Sequence, residues 1–351
     1  MDKTPVSNLE RDAYGREALH CQRPLAEATS AAPVVVVGLP RSGTTFLGHI
    51  LNCMDDLLVF GDLYCVQRAQ VLRCNGPLSG RQLTAFVEFL GRRTRVGIRH
   101  RTFYEHLPMA YDDVDTLCGS VLSLYERRQV TWPELVAEFL TRLARFLGKR
   151  RWGYKTPQDF HNIGLLRDAF PNVRFILLVR DPRTVMASFK FNSSQDGSRG
   201  QYHPLAYAQY WKMAVTSAVR SCTRLSVPLC VVRFEDMIRA PQATGHLLAE
   251  FLGSRLDGPI SRSSPNSSFG SSGRREITRA EVWLCQKIAG EMMSAYDYKL
   301  VTTRPRLRDV PDLAFTTLRF IAHQSTRLCT DRAARVQVGA FCKRLLTARH
   351  I

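Results

Sequence analysis

Four valines, Val34 to Val37, form an unbroken β-branched run, and the pattern changes sharply after them. Such a run predicts a strand covered on both faces. Gly38 to Gly43 turns the chain, and Phe46, Leu47, Ile50 and Leu51 then recur at the spacing of one helix face. Ser79 to Arg95 repeats that spacing with Leu83, Phe86, Val87 and Leu90. Thr131-Trp-Pro-Glu134 reads as a capping box with Pro in the first turn. The helix it opens buries Val136, Phe139, Leu140 and Leu143, and Gly148 ends it. A second strand–turn–helix unit follows, with Val173 to Val179 as the strand and Arg180-Asp-Pro-Arg183 as the turn. Beyond it the pattern predicts a helix over 205–225, a strand over 229–234 and a helix over 241–252. Thr278-x-x-Glu281 caps one more helix, which carries Val282, Cys285, Ile288 and Met292.

Apolar strands alternating with helices predict an α/β chain: a P-loop-like three-layer fold with a central parallel sheet flanked by helices. Ligands of such sheets bind beyond the carboxyl ends of the strands. Both polar clusters, Arg41 to Thr45 and Arg180 to Ser188, fall at those ends. The expected organisation is a flexible lead-in over 1–30, the main domain over 31–304 and a basic helical extension over 305–351. The extension is read as two short helices, the second with Ala334, Val338, Phe341 and Leu345 on one side. Residues 192–203 and the serine-rich 261–275 read as mobile loops.

Charge and cysteines narrow the picture. The 351 residues carry a net charge of +18, which favours polyanionic partners: nucleic acid, anionic lipid or a multiply phosphorylated cofactor. The cations are spread along the chain, so a specific nucleic-acid surface is not expected, and peripheral membrane contact stays open. No apolar run approaches the roughly 18–20 residues of a membrane span. Residues 1–30 lack a secretory pattern, so the expectation is a cytoplasmic protein. The ten cysteines form no C-x-x-C pair, which argues for reduced thiols and against zinc.

The loop itself carries chemistry. Strand, tight turn and helix N-terminus converge backbone N–H groups and a helix dipole on one anion. A nucleotide-triphosphatase loop places Lys before its Ser/Thr to reach the β- and γ-phosphates, with the hydroxyl on Mg²⁺. Here that position is Thr44, and the only cation in the loop is Arg41. The loop suits a phosphate but lacks the parts for magnesium-dependent work on a γ-phosphate.

Gly38-Leu-Pro-Arg41-Ser-Gly-Thr-Thr45, followed about 140 residues later by Leu177-Leu-Val-Arg180-Asp-Pro-Arg183-x-Val185-x-x-Ser188, resembles the two-part cofactor signature of sulfotransferases. That family uses 3′-phosphoadenosine-5′-phosphosulfate (PAPS) as donor. The Arg form of the loop and Lys155-Thr-Pro157 are similar to the tyrosylprotein, carbohydrate and many bacterial members, over about 31–300. The resemblance implies that Arg41, Ser42, Gly43, Thr44 and Thr45 bind the 5′-phosphosulfate. It assigns Arg180 and Ser188 to the 3′-phosphate, and Lys155 to charge building on the bridging oxygen. It implies a carboxylate base for the acceptor hydroxyl, and Gly61-Asp62 stands about twenty residues past the loop, where relatives place one. His106, in Glu105-His-Leu-Pro108, is the competing base. Phe234-Glu-Asp236 resembles a Tyr-Glu-Asp element without its hydroxyl. Ser267, Ser268 and Arg274 stand where relatives close a loop over the cofactor. Arg183 is left between a role and a solvated surface.

The expectation is therefore a metal-free sulfotransferase acting on a hydroxyl-bearing acceptor of unknown class. Asp62, Lys155 and Arg41 are its catalytic residues. A P-loop kinase or NTPase, and a non-catalytic polyanion or membrane-surface binder, are the alternatives. Oligomeric state is open.

Overall fold

The computed structural model describes residues 32–100, 109–191, 202–260 and 276–330. In chain order these hold β1 (Val34–Gly38), α1 (Thr44–Asn52), β2 (Leu57–Phe60), α2 (Cys65–Val71), α3 (Gly80–His100), α4 (Tyr111–Tyr125) and α5 (Trp132–Phe146). They continue with β3 (Arg151–Lys155), α6 (Ile163–Ala169), β4 (Arg174–Val179), α7 (Pro182–Lys190), α8 (Pro204–Arg224) and β5 (Leu229–Arg233). Last come α9 (Phe234–Arg239), α10 (Pro241–Leu252), α11 (Arg279–Ala295) and α12 (Val310–Thr330). The chain divides into two compact units, residues 1–180 with 213–265, and residues 181–212 with 266–351.

The first unit holds the sheet. All five strands are parallel, in the order β2-β3-β1-β4-β5. The α/β architecture with a central parallel sheet is as the apolar strand runs predicted. Because side chains alternate faces, Val34 and Val36 join a core with Leu47, Ile50, Leu51 and Met54 of the α1 segment and Leu248, Phe251 and Leu252 of α10. On the other face α5 covers β3, where Trp132 and Trp152 each meet the Phe170 ring edge-on.

Two strands were not anticipated. β2 is a four-residue run between Asp55-Asp56 and Gly61-Asp62, and β3 reads Arg-Trp-Gly-Tyr-Lys, with charge at both ends. The charges of β3 are accommodated at opposite ends of the sheet. At the amino end the buried Arg151 donates to Leu252 O at 2.9 Å and to Ser254 Oγ at 3.0 Å, with Asp56 at 3.5 Å. The edge of β2 is closed by a side chain. Asn52 Oδ1 accepts from Val59 N at 2.7 Å, and Asn52 Nδ2 donates to Val59 O at 3.1 Å. One amide thus pairs with both backbone groups of a residue that, among the described residues, has no further strand beside it.

The second unit is helical and is organised around Glu281. Its buried carboxylate accepts from Lys190 Nζ at 3.0 and 3.1 Å and from Tyr202 OH at 2.9 Å. The same side chain closes the capping box of α11, accepting from Thr278 N at 2.7 Å. His203 meets Thr317 and Phe320 of α12, and Lys190 lies 3.6 Å from Asp312. In place of the first of the two short helices expected in the extension, α12 runs as one 21-residue helix. The second expected helix lies outside the described residues, as do residues 261–275 and most of 192–203. Among the described residues no helix is long and apolar enough to cross a membrane.

Candidate active site

In a parallel sheet every strand delivers its carboxyl end to the same edge. In the first unit all five deliver a residue of interest there. Asp62 follows β2, Lys155 ends β3, the 38–43 loop follows β1, Arg180 follows β4 and Phe234 follows β5.

The loop after β1 is held in an uncommon backbone form. Arg41 has φ 71° and Gly43 φ 97°, and Ser42 N donates to Leu39 O at 3.1 Å. A positive φ is costly for arginine, so the surrounding loop must hold it in place. Gly43 caps α1, and the first turn of α1 carries no acidic residue to offset the positive end of its dipole. A side chain at Gly43 would meet the Phe234 ring at 2.4 Å, so glycine is required by space as well as by conformation. Thr44 is buried at the helix start, with Thr45 partly exposed beside it. Ser42 is buried, and its Oγ has no hydrogen-bond partner among the described residues. A buried hydroxyl left without a partner costs free energy unless a ligand satisfies it. Burial holds the Arg41 guanidinium below the usual arginine value.

Arg180 crosses to this loop. It is 4% exposed, donates from Nη1 to Arg41 O at 3.0 Å, and places Cζ 4.0 Å from the centre of the Phe234 ring. The ring without a hydroxyl therefore acts as a shelf: it packs on Gly43 and stacks under Arg180. This contact needs the face of an aromatic ring, which the sequence supplies and the missing hydroxyl does not affect.

On the other side of the loop, Lys155 Nζ and Asp62 Oδ1 are 2.7 Å apart. The lysine is almost fully buried and the carboxylate is one-third exposed. Burial pulls the Lys155 ammonium below its ordinary value, Asp62 works against that, and Arg93 adds to the lowering. Sequence reasoning named Lys155 and Asp62 separately; the parallel register of β2 and β3 brings them together. It missed two neighbours. Tyr64, at φ 54°, donates its N–H to Thr156 Oγ1 at 3.1 Å, and Arg93 of α3 places Cζ 5.5 Å from the Tyr64 ring centre. Tyr64 lies two residues past Asp62, which was the available signal; Arg93 had none. Thr156 is followed by a turn in which the buried Asp159 accepts from Gln67 and Asn162 at 2.9 and 3.0 Å. Burial raises the Asp159 carboxyl.

Ser188 is fully buried on α7, in the second unit. In the same unit Arg183 is not a solvated cation: it forks onto Asp181, with Nη2 to Oδ2 at 2.6 Å, and reaches Gln286 Oε1 at 3.2 Å. His106, Glu105, Ser267, Ser268 and Arg274 lie outside the described residues. Among the described residues no three His, Cys, Asp or Glu side chains gather as a metal site would. Cys65, Cys74, Cys222 and Cys285 are buried free thiols.

A sequence model of the Sulfotransferase family matches residues 33–258. Solved structures that the chain matches include the sulfotransferase domain of the olefin synthase of Synechococcus PCC 7002. It is 18% identical, with 85% of this chain and 98% of that one covered and a TM-score of 0.44. The sulfotransferase domain of the curacin biosynthetic pathway is 16% identical, over 77% of this chain and 99% of that one, with a TM-score of 0.47. A sulfotransferase from Mycobacterium avium is 16% identical, over 77% and 78%, with a TM-score of 0.42. No curated protein matches the sequence.

Proposed function

The chain belongs to the sulfotransferase family, and from that premise we propose that it moves a sulfuryl group from PAPS to an acceptor hydroxyl in one in-line step without a metal. The observation that carries this reading is the Lys155–Asp62 pair at 2.7 Å, one strand away from a phosphate-type loop that has Arg where a triphosphatase has its Lys.

Each part of the reading has a physical warrant. The loop amides, the Ser42 hydroxyl and the hydroxyls of Thr44 and Thr45 bind the 5′-phosphosulfate, and the orphaned Ser42 Oγ is a donor such a group would satisfy. Arg41 supplies the charge. Arg180, braced by Phe234 and by the Arg41 carbonyl, takes the 3′-phosphate. The companion assignment of Ser188 rests on the sequence resemblance alone. PAPS contributes a sulfuryl group already bound to a good leaving phosphate. That group carries less negative charge than a γ-phosphoryl group, so protein cations suffice where phosphoryl transfer uses Mg²⁺.

Asp62 has one oxygen on Lys155 and is one-third exposed, so the carboxylate is held in place while open to an incoming hydroxyl. As the acceptor oxygen bonds to sulfur, Asp62 takes its proton, and Lys155 offsets the charge growing on the bridging oxygen. The products are the sulfated acceptor and 3′,5′-bisphosphoadenosine.

The test is a donor assay with labelled sulfur and a panel of hydroxyl acceptors, run in chelator. The wild type releases bisphosphoadenosine with label in the acceptor. Asp62→Asn lowers kcat by about 10²–10⁴-fold while leaving bisphosphoadenosine binding in place. Near-normal turnover by that variant removes Asp62 from the mechanism. Turnover that appears only with ATP and magnesium removes the reading as a whole.

A further inference from the structure

We propose that the acceptor carries an anionic oxygen group, a carboxylate or phosphate, near the hydroxyl that is sulfated, and that Arg93 on α3 binds it. This rests on the sulfotransferase reading above and deepens it.

The sheet order fixes the direction of approach. The donor loop follows β1, and Lys155 ends the adjacent strand β3. Asp62 follows β2, the next strand outward. A hydroxyl attacking between Lys155 and Asp62 therefore comes from the β2 side, away from the loop. Among the described residues, Tyr64, two residues past Asp62, and the side chain of Arg93 over its ring stand on that side. Tyr64 is held there by its N–H on Thr156 Oγ1, and Arg93 lies 5.5 Å from the ring centre.

Charge makes this side distinctive. Lys155 and Arg93 are both cations, and the carboxylate among them, Asp62, is engaged by Lys155 at 2.7 Å. Among the described residues Arg93 has no carboxylate within ion-pair distance, and its buried Nε has no hydrogen-bond partner. It is close enough to act on its neighbours: it lowers the Lys155 ammonium further and draws down the Tyr64 phenol that burial and Asp62 push up. A partly buried guanidinium with an unmet Nε–H is costly by itself and suits a planar or tetrahedral oxyanion, which it meets in a fork. If Arg93 were only a brace for Tyr64, the ring contact would suffice and acceptor charge would be irrelevant.

The experiment uses two acceptor pairs that differ only in charge: 4-hydroxyphenylacetate against its amide, and 3-hydroxybutyrate against its amide. For at least one pair, wild-type kcat/KM favours the acid by about 10- to 100-fold, the range of one charge-assisted hydrogen bond. Arg93→Met brings that ratio to about one, and Arg93→Lys restores part of it. Thermal stabilisation by bisphosphoadenosine stays the same in both variants, which separates acceptor selection from donor binding and from misfolding. Equal use of acid and amide by the wild type overturns the proposal. So does turnover of neither, or an acid preference that survives Arg93→Met. A wild type that bisphosphoadenosine does not stabilise overturns the donor reading, and this proposal falls with it.

Discussion

Gly43→Ala is the smallest change that reaches the whole candidate site. The backbone there has φ 97°, outside the range an alanine occupies without strain. That costs about 1–3 kcal/mol. The new methyl would stand 2.4 Å from two carbons of the Phe234 ring. Relief requires the ring to retreat by about 1 Å, and such overpacking costs about 1–3 kcal/mol. Partial relaxation makes the two terms less than additive, so a total of about 2–4 kcal/mol is expected. For a unit of this size that is a fall in Tm of about 5–10 °C. The functional effect follows from what the ring supports. Arg180 stacks 4.0 Å from its centre, so a displaced ring misplaces the guanidinium read here as the 3′-phosphate ligand. The assay is differential scanning fluorimetry with and without bisphosphoadenosine. The variant should melt lower and lose most of its ligand-induced shift. Adding Phe234→Leu should recover the clash part of the stability, but not the ligand shift, because the aromatic shelf is then gone. A Gly43→Ala protein with wild-type Tm and wild-type ligand shift would refute the reasoning.

Two further changes test separate groups. Lys155→Arg probes the pH profile: burial lowers the Lys155 ammonium below the ordinary lysine value, so wild-type kcat should fall on the alkaline side before that value is reached. Arginine stays charged, so the variant should lose that limb. The unfolded state holds the Lys155 proton to higher pH than the folded state, so this residue's contribution to stability rises with pH across the same window. Activity should thus decline while unfolding, followed by fluorescence, shows no matching loss; a coincident unfolding transition would count against the assignment. Arg180→Ala should weaken bisphosphoadenosine about 10- to 100-fold by calorimetry and leave ADP nearly unaffected. Equal losses for both nucleotides would mean that Arg180 braces the loop and does not read the 3′-phosphate.

The parts of this architecture that could be read from the chain are those set by local pattern. Val34 to Val37 and Phe175 to Val179 are buried on both faces, so they appear as unbroken apolar runs. The capping boxes at Thr131 and Thr278 announce their helices by themselves. β3 was hidden because both of its charged ends find counter-charges from elsewhere, Arg151 in Asp56, with hydrogen bonds to the Leu252 carbonyl and the Ser254 hydroxyl, and Lys155 in Asp62. β2 was hidden by brevity and by an edge closed with a side chain, Asn52. The helix over 111–125 did leave a signal, since Val114, Leu117 and Val121 share one face. In the site, the loop and Arg180 were readable because strand, turn and helix are contiguous. The Phe234 shelf and the Arg93–Tyr64 contact depend on elements distant in sequence, and only the folded sheet edge and α3 bring them together.

The central claim is that one nucleotide is held at its phosphosulfate end by the Arg41 loop and at its 3′-phosphate by Arg180, with no metal needed. Isothermal titration of the wild type with bisphosphoadenosine and with ADP, both in chelator, tests it most directly. The account predicts that bisphosphoadenosine binds at least about tenfold more tightly. Equal affinities, or binding that requires magnesium and favours a triphosphate, would contradict it.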